Sequence, residues 1–311
     1  MNFKFNPFDY LFILRPLILI PVWDFFLIGS YLARQKGGFT IEIIFGLMIY
    51  TFIMGGVYIL NQITDIETDK INKKLFLLSG GYIKTKYAYI EMSILWILAI
   101  VFSLQFSKTF IIFIFVSLLM GILYSLPPIK LKGKPILDTL SNGIGYGMIN
   151  FGVGWLVFRN FEWFMFLKFL PYFLSICAVF INTTIVDIEG DKKVGEKTTG
   201  VFLKEGVSYI ASTILMAGAV IISLILKDII CLIPAGISLP VFIYVASYFF
   251  LKNKINRKFT IASFRLPGLV FTIITAYLYP WYLLLVIVIL VGMRVYYKYR
   301  FGMTYPTLSG G

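Results

Sequence analysis

The chain has 311 residues, is 59% hydrophobic and only 14% charged, and has a mean hydropathy of +0.88. That composition excludes an ordinary soluble domain and points to a polytopic membrane protein forming a single domain over 1–311. The net charge of +13 would suit a nucleic-acid binder. The basic residues, however, stand in short segments between apolar runs, where membrane topology accounts for them and no nucleic-acid partner is expected. Histidine is absent, and the two cysteines, Cys177 and Cys231, each lie inside an apolar run without disulfide or metal spacing. Acid/base or metal chemistry must therefore fall to carboxylates, tyrosines, lysines or backbone groups.

In chain order, apolar runs predict spans near 11–33, 42–63, 87–106, 109–127, 138–158, 163–187, 206–226, 229–250 and 267–297. The first lacks a small-residue cleavage site and reads as a retained span. The last is too long for one straight helix, and Pro280 is placed to kink or split it. The count is nine, or ten if that run divides. Seventeen Lys and Arg residues follow the second, fourth, sixth and eighth spans, against six in the opposite loops. This bias places the N-terminus and the even-numbered loops in the cytoplasm. Arg294, Lys298 and Arg300 would fall outside with nine spans, which favours ten.

The second span, uncharged from 43 to 60, runs directly into "NQITDIETDK" at 61–70. Asn61, Asp65 and Asp69 recur every four residues, so on a helix they share one face. After the sixth span, "NTTIVDIEGDKKVGEKTTG" at 182–200 repeats the pattern with Asp187 and Asp191. Four spans separate the motifs, so both emerge on the same side. Acidic and basic residues at a single span end ordinarily just solvate a loop. Two copies with matched spacing on one side do not fit that explanation, because clustered carboxylates repel one another and are costly.

Clustered oxygen donors suit a hard divalent ion, and Mg²⁺ commonly joins one or two carboxylates to substrate phosphates. The neighbouring lysines, Lys73, Lys74, Lys192, Lys193 and Lys197, are placed to take up phosphate charge as point donors. A diphosphate held at the mouth of an apolar bundle implies a substrate with a polar head and a lipid tail. Glu67 and Glu189 point away from the neighbouring aspartates. Asn182, five residues before Asp187, lies off that face.

These motifs resemble the UbiA superfamily of intramembrane prenyltransferases. "NQITDIETDKINKK" is similar to its N-x-x-x-D-x-x-x-D pattern followed by basic residues, and "DIEGDKKVGEKTTGV" to its second D-x-x-x-D. "LRP" at 14–16 and "YSLPPIKLKGKP" at 124–135 agree in kind and order. The chain departs where Lys73 and Lys74 replace an Arg-Pro pair, and where Thr183 and Thr184 replace a Lys-Asp pair found in some members.

The resemblance implies an all-α fold of about nine transmembrane helices around a central cavity, with both Asp-rich motifs on cytoplasmic loops. It implies Mg²⁺-dependent transfer of an isoprenyl group from a prenyl diphosphate to an aromatic or lipid acceptor. Asn61, Asp65 and Asp69 would hold one metal and Asp187 and Asp191 the other. Lys73, Lys130, Lys132, Lys193 and Lys197 would contact substrate, and Tyr124 would face the allylic cation. Without the resemblance, Tyr124 would read as an interfacial aromatic. The glycines of "GIGYG" and "GVG" at 143–147 and 152–154 are expected to allow close helix packing or to make room for a prenyl chain.

Two readings compete. A cation transporter would place acidic residues at mid-membrane, where only Asp24 and Glu91 stand, without evident partners. A CDP-alcohol phosphotransferase would need a denser aspartate run with an Ala-Arg, which is absent.

Overall fold

The computed structural model describes residues 5–71, 76–193 and 195–305. Lys73 and Lys74 lie outside them. Among the described residues the secondary structure is entirely helical. A short α1 (Phe8–Phe12) precedes α2 (Pro16–Arg34) and α3 (Ile41–Thr64), and two short helices follow, α4 (Ile66–Ile71) and α5 (Phe76–Ser79). Next come α6 (Thr85–Ser103), α7 (Lys108–Ser125) and α8 (Leu137–Asn142), which continues through a π-helix (Gly143–Asn150) into α9 (Phe151–Leu156). The remaining helices are α10 (Phe164–Lys193), α11 (Thr199–Ile225), α12 (Ile229–Lys252), α13 (Arg257–Leu278) and α14 (Pro280–Phe301).

Nine helices among the described residues are long and apolar enough to cross a membrane. They include both halves of the 267–297 run, which is not one span. It breaks at Tyr279, because Pro280 offers no N–H to continue α13 and instead starts α14. The α8–π–α9 segment, which matches the predicted fifth span, is additional to those nine. With α14 separate, the chain returns to the end at which it began. Arg300 forms an ion pair with Asp9 at 2.6 Å, and Tyr296 donates to the same carboxylate at 2.6 Å. The Arg300 guanidinium also lies over the Tyr82 ring, just beyond the first Asp motif.

Helices α2 and α3 are the most enclosed of the spans. Glycine makes the tightest crossing possible. A Cβ at Gly154 would lie 1.8 Å from the Phe26 carbonyl oxygen, and one at Gly29 would lie 2.0 Å from that of Phe151. Helices α2 and α9 therefore meet backbone to backbone. Gly147 abuts the Phe173 backbone of α10 in the same way, whereas nothing lies within 4 Å of a Cβ at Gly145, which faces open space. The expectation of close helix packing therefore holds at Gly147 and Gly154, while Gly145 leaves open space. Asp24 does have a partner, since Thr272 of α13 donates to it at 2.7 Å.

Candidate active site

The first motif keeps its shared face although the helix does not run straight through it. Asp65 caps α3 at φ −101° and ψ 7°, and α4 begins at the next residue. The i→i+4 pattern survives the break, with Asp65 N–H donating to Asn61 at 3.1 Å and Asp69 N–H to Asp65 at 2.8 Å. Asp65 and Asp69 are 6% and 9% exposed, while Glu67 turns outward to pair with Lys70 at 3.0 Å. The second motif protrudes by length alone. The 30 residues of α10 span about 45 Å at 1.5 Å per residue, against about 30 Å of hydrocarbon. Asp187, Lys192 and Lys193 are consequently exposed at its end.

The segment 126–136 joins the two motifs. It doubles back over the end of α7, where Leu131 N–H and Lys132 N–H donate to the Leu123 and Tyr124 carbonyls at 3.0 and 3.1 Å. That fold carries the Lys132 ammonium onto the Asp65 carboxylate, with which it forms a direct ion pair. On the other side, Lys130 pairs with Glu196 at 3.6 Å, and Lys197 N–H donates to the Gly133 carbonyl at 3.2 Å. Gly133 sits at φ +75° with Glu196 against it, a left-handed turn that favours glycine. Buried Asp138 completes the joint by accepting from the Thr199 N–H at 2.8 Å, while Thr198 donates to Asp191 at 2.8 Å. Burial pushes the Lys132 pKa down, but the charge and hydrogen bond of Asp65, together with Tyr124 and Glu196, outweigh it. The net shift is upward, so Lys132 is held as a cation.

Beneath this joint lies a cavity of about 320 Å³. Asn61, Tyr58 and its neighbour Val57, Met54 and Tyr50 line it from α3, successive turns of one face along about 16 Å of helix. Helix α7 contributes Tyr124, Met120 and Ser117, and the π-helix contributes Tyr146 and Asn150. A π-helix turns its side chains out of α register and is frequent at functional sites. Tyr124 accepts from Asn142 at 3.4 Å, and the Tyr58 and Tyr146 hydroxyls share a hydrogen bond of 2.9 Å. Arg15, left-handed at φ 56°, closes the wall with its guanidinium 5.9 Å from the Tyr58 ring centre.

Asn61, Tyr124 and Lys132 thus line one cavity, Asp65 joins them through its ion pair with Lys132, and Lys130 and Asp191 lie on the segments that the joint brings together. Lys193 and Lys197 are exposed, and Lys197 meets the joint through its backbone N–H. Asn182 is not part of the mouth, because it is buried within the helix bundle and donates to Ser263 at 2.8 Å. Reasoning from sequence overlooked Tyr58, Tyr146, Asn150, Asp138 and Arg15. Tyr58 and Tyr50 were within reach, since they continue the Asn61–Asp65 face inward.

Among the described residues, no three Asp, Glu or Cys side chains gather in the manner of an all-protein metal cage. The donor set still fits Mg²⁺, which takes one or two carboxylates and completes its shell with water and phosphate. Asn61 adds an amide oxygen to that set, and its buried Nδ2, which has no hydrogen-bond partner among the described residues, is a donor suited to a phosphate oxygen. Asp65 has Lys132 where a bound cation would stand.

Residues 23–267 match the UbiA prenyltransferase family. The chain is 28% identical over 223 residues to 2-acyl-4-prenylphloroglucinol 6-prenyltransferase of Humulus lupulus, covering 66% of this chain and 52% of that one. It is 27% identical over 204 residues to digeranylgeranylglyceryl phosphate synthase of Sulfurisphaera tokodaii, covering 63% and 70%. The chain spans about half the length of the plant relatives it matches. A solved structure concerning digeranylgeranylglyceryl phosphate synthase aligns with a TM-score of 0.67 at 26% identity, covering 85% of this chain and 96% of the other. A UbiA homologue from Archaeoglobus fulgidus, bound to GPP and Mg²⁺, shares the fold with a TM-score of 0.67 at 19% identity, covering 87% and 99%. Matched from α2 into α13 in sequence, and over most of its length in fold, this multi-pass membrane protein belongs to the UbiA prenyltransferase family.

Proposed function

We propose that this single-domain protein transfers an isoprenyl group from a prenyl diphosphate to an aromatic or lipid acceptor within the membrane, releasing diphosphate in a Mg²⁺-dependent reaction. The observation that carries the reading is the joint made by residues 126–136, which ties both Asp motifs to the mouth of one cavity. Asn61, Asp65 and Asp69 would hold one metal ion, and Asp187 and Asp191 the other. When bound, Mg²⁺ would supply positive charge to offset that of the diphosphate. Lys132 and Lys130 add ammonium charge to the same leaving group, and the exposed Lys193 and Lys197 attract it; Lys73 belongs with them by sequence.

The bond between the allylic carbon and the diphosphate oxygen breaks with its electron pair on oxygen. The acceptor then bonds to that carbon and gives up a proton. Tyr124, Tyr58 and Tyr146 line the space just inside the mouth, where ring faces stabilise a developing cation. The excess of lysine and arginine on the motif side supports a cytoplasmic placement for the motifs and the N-terminus.

The test is diphosphate release by purified protein given geranylgeranyl diphosphate, with and without Mg²⁺, against aromatic and lipid acceptors. Release should require Mg²⁺ and rise with a fitting acceptor. No Mg²⁺-dependent binding of the diphosphate would refute the reading. Tyr124→Phe should lower kcat by less than about fivefold, since the ring remains and the hydroxyl makes only a 3.4 Å contact with Asn142. A much larger loss would assign the hydroxyl a direct role.

A further inference from the structure

The inner end of the cavity is polar, which a hydrocarbon chain does not explain. Tyr50 of α3 and Asn150 of the π-helix face each other there, and Tyr50 Oη donates to Asn150 Oδ1 at 2.5 Å. Asn150 is 1% exposed, and its Nδ2 has no hydrogen-bond partner among the described residues. Turning the amide round would not remove the problem. An asparagine carries two N–H donors, and the Tyr50 oxygen would take only one. The nearby Ser117 hydroxyl donates to the Phe113 carbonyl at 2.8 Å and lies 3.4 Å from the Tyr50 oxygen, so it leaves the Asn150 donor unmet. An open donor at this depth is costly where water is scarce, and polar groups inside a membrane protein are retained mainly for function.

The substrates can be sorted by what they bring to this donor. A prenyl tail brings no oxygen. A lipid acceptor with its head at the mouth would also lay hydrocarbon against the amide. A hydroxyl on the inner side of an aromatic acceptor matches both groups, since its oxygen accepts from Asn150 N–H and its own O–H donates to the Tyr50 oxygen, where it would replace the long 3.4 Å contact from Ser117. The space over Gly145 and the rings of Tyr58 and Tyr146 line the route between mouth and floor.

Resting on the prenyl-transfer reading above, we propose that Asn150 and Tyr50 form a hydroxyl-binding subsite at the inner end of the cavity. It selects phenolic acceptors that carry an oxygen on the side facing away from the transferred chain.

The probes are 1-naphthol and 1-methylnaphthalene, which exchange a hydroxyl for a methyl of similar size. Each is titrated into full-length protein loaded with geranylgeranyl diphosphate and Mg²⁺, using wild type, Asn150→Leu and Tyr50→Phe. The quantity read is the ratio of the two dissociation constants. Detergent partitioning alters that ratio equally for all three proteins and cancels in the comparison. Wild type should favour the naphthol, and Asn150→Leu should reduce the ratio about tenfold or more, as expected where a site built for a hydroxyl loses its donor. Tyr50→Phe should reduce it less, and it carries the test if the Asn150→Leu variant does not fold. An unchanged ratio in the variants, or a wild type that holds the diphosphate but binds neither probe, overturns the subsite. A wild type that does not bind geranylgeranyl diphosphate overturns the prenyl-transfer reading instead, so the two failures are distinguishable.

Discussion

Asp65→Asn and Asp187→Asn should each lower prenyl transfer by at least about 10²–10³-fold, the scale on which removing one preorganised charge-stabilising group slows an enzyme. The loss should fall on kcat/KM with the protein still folded in detergent. Asp187 is exposed, so neutralising it leaves packing untouched. Asp65 is buried against Lys132, and an amide of the same shape can still accept from that ammonium. The two variants therefore separate charge from structure. Diphosphate release and Mg²⁺ titration, each with a melting curve, provide the check. Near-normal turnover in either variant would refute a two-metal site.

Lys132→Met is expected to act through two routes. The first is catalytic, a fall of roughly 10²-fold in kcat/KM, because a held ammonium next to a departing diphosphate is worth far more in a partly dry site than in water. The second is structural. Asp65 would lose its ion-pair partner while remaining 6% exposed, and a buried carboxylate without a counter-charge destabilises its surroundings. Without Mg²⁺ the variant should melt below wild type, and added Mg²⁺ should close the gap by supplying the missing positive charge. Lys132→Arg should recover stability better than activity, since a planar guanidinium keeps the charge but not the compact ammonium geometry. If the variant melts like wild type and responds no further to Mg²⁺, Lys132 is not the group that holds Asp65 ready.

Most of what can be read along the chain was legible at once. Hydropathy marks the apolar runs, and the spacing of Asn61, Asp65 and Asp69 marks a helical face that persists even though α3 ends at Asp65. Period and composition are local properties, and the membrane leaves little choice but helix for each run. The division of the last run at Pro280 was also visible, because proline lacks the N–H that the helix needs. The return of the C-terminal helix to the starting end was foreshadowed only by the charges of Arg294, Lys298 and Arg300.

What lay beyond the sequence was every pairing across distance. No spacing rule puts Lys132 on Asp65, 67 residues away, or Asp138 on Thr199, 61 residues away. Those contacts depend on a loop doubling back over α7, and on glycine-mediated crossings that fix which helices touch. Nor could an asparagine in a run of glycines and hydrophobics be read as part of a cavity floor. The sequence by itself determined the apolar runs and the i, i+4 spacing of the two aspartate motifs, because each follows from local period and composition. Only the tertiary structure decided which lysine meets which aspartate, and that Asn150 ends opposite Tyr50 with a donor to spare, because helix packing alone sets which faces turn inward together.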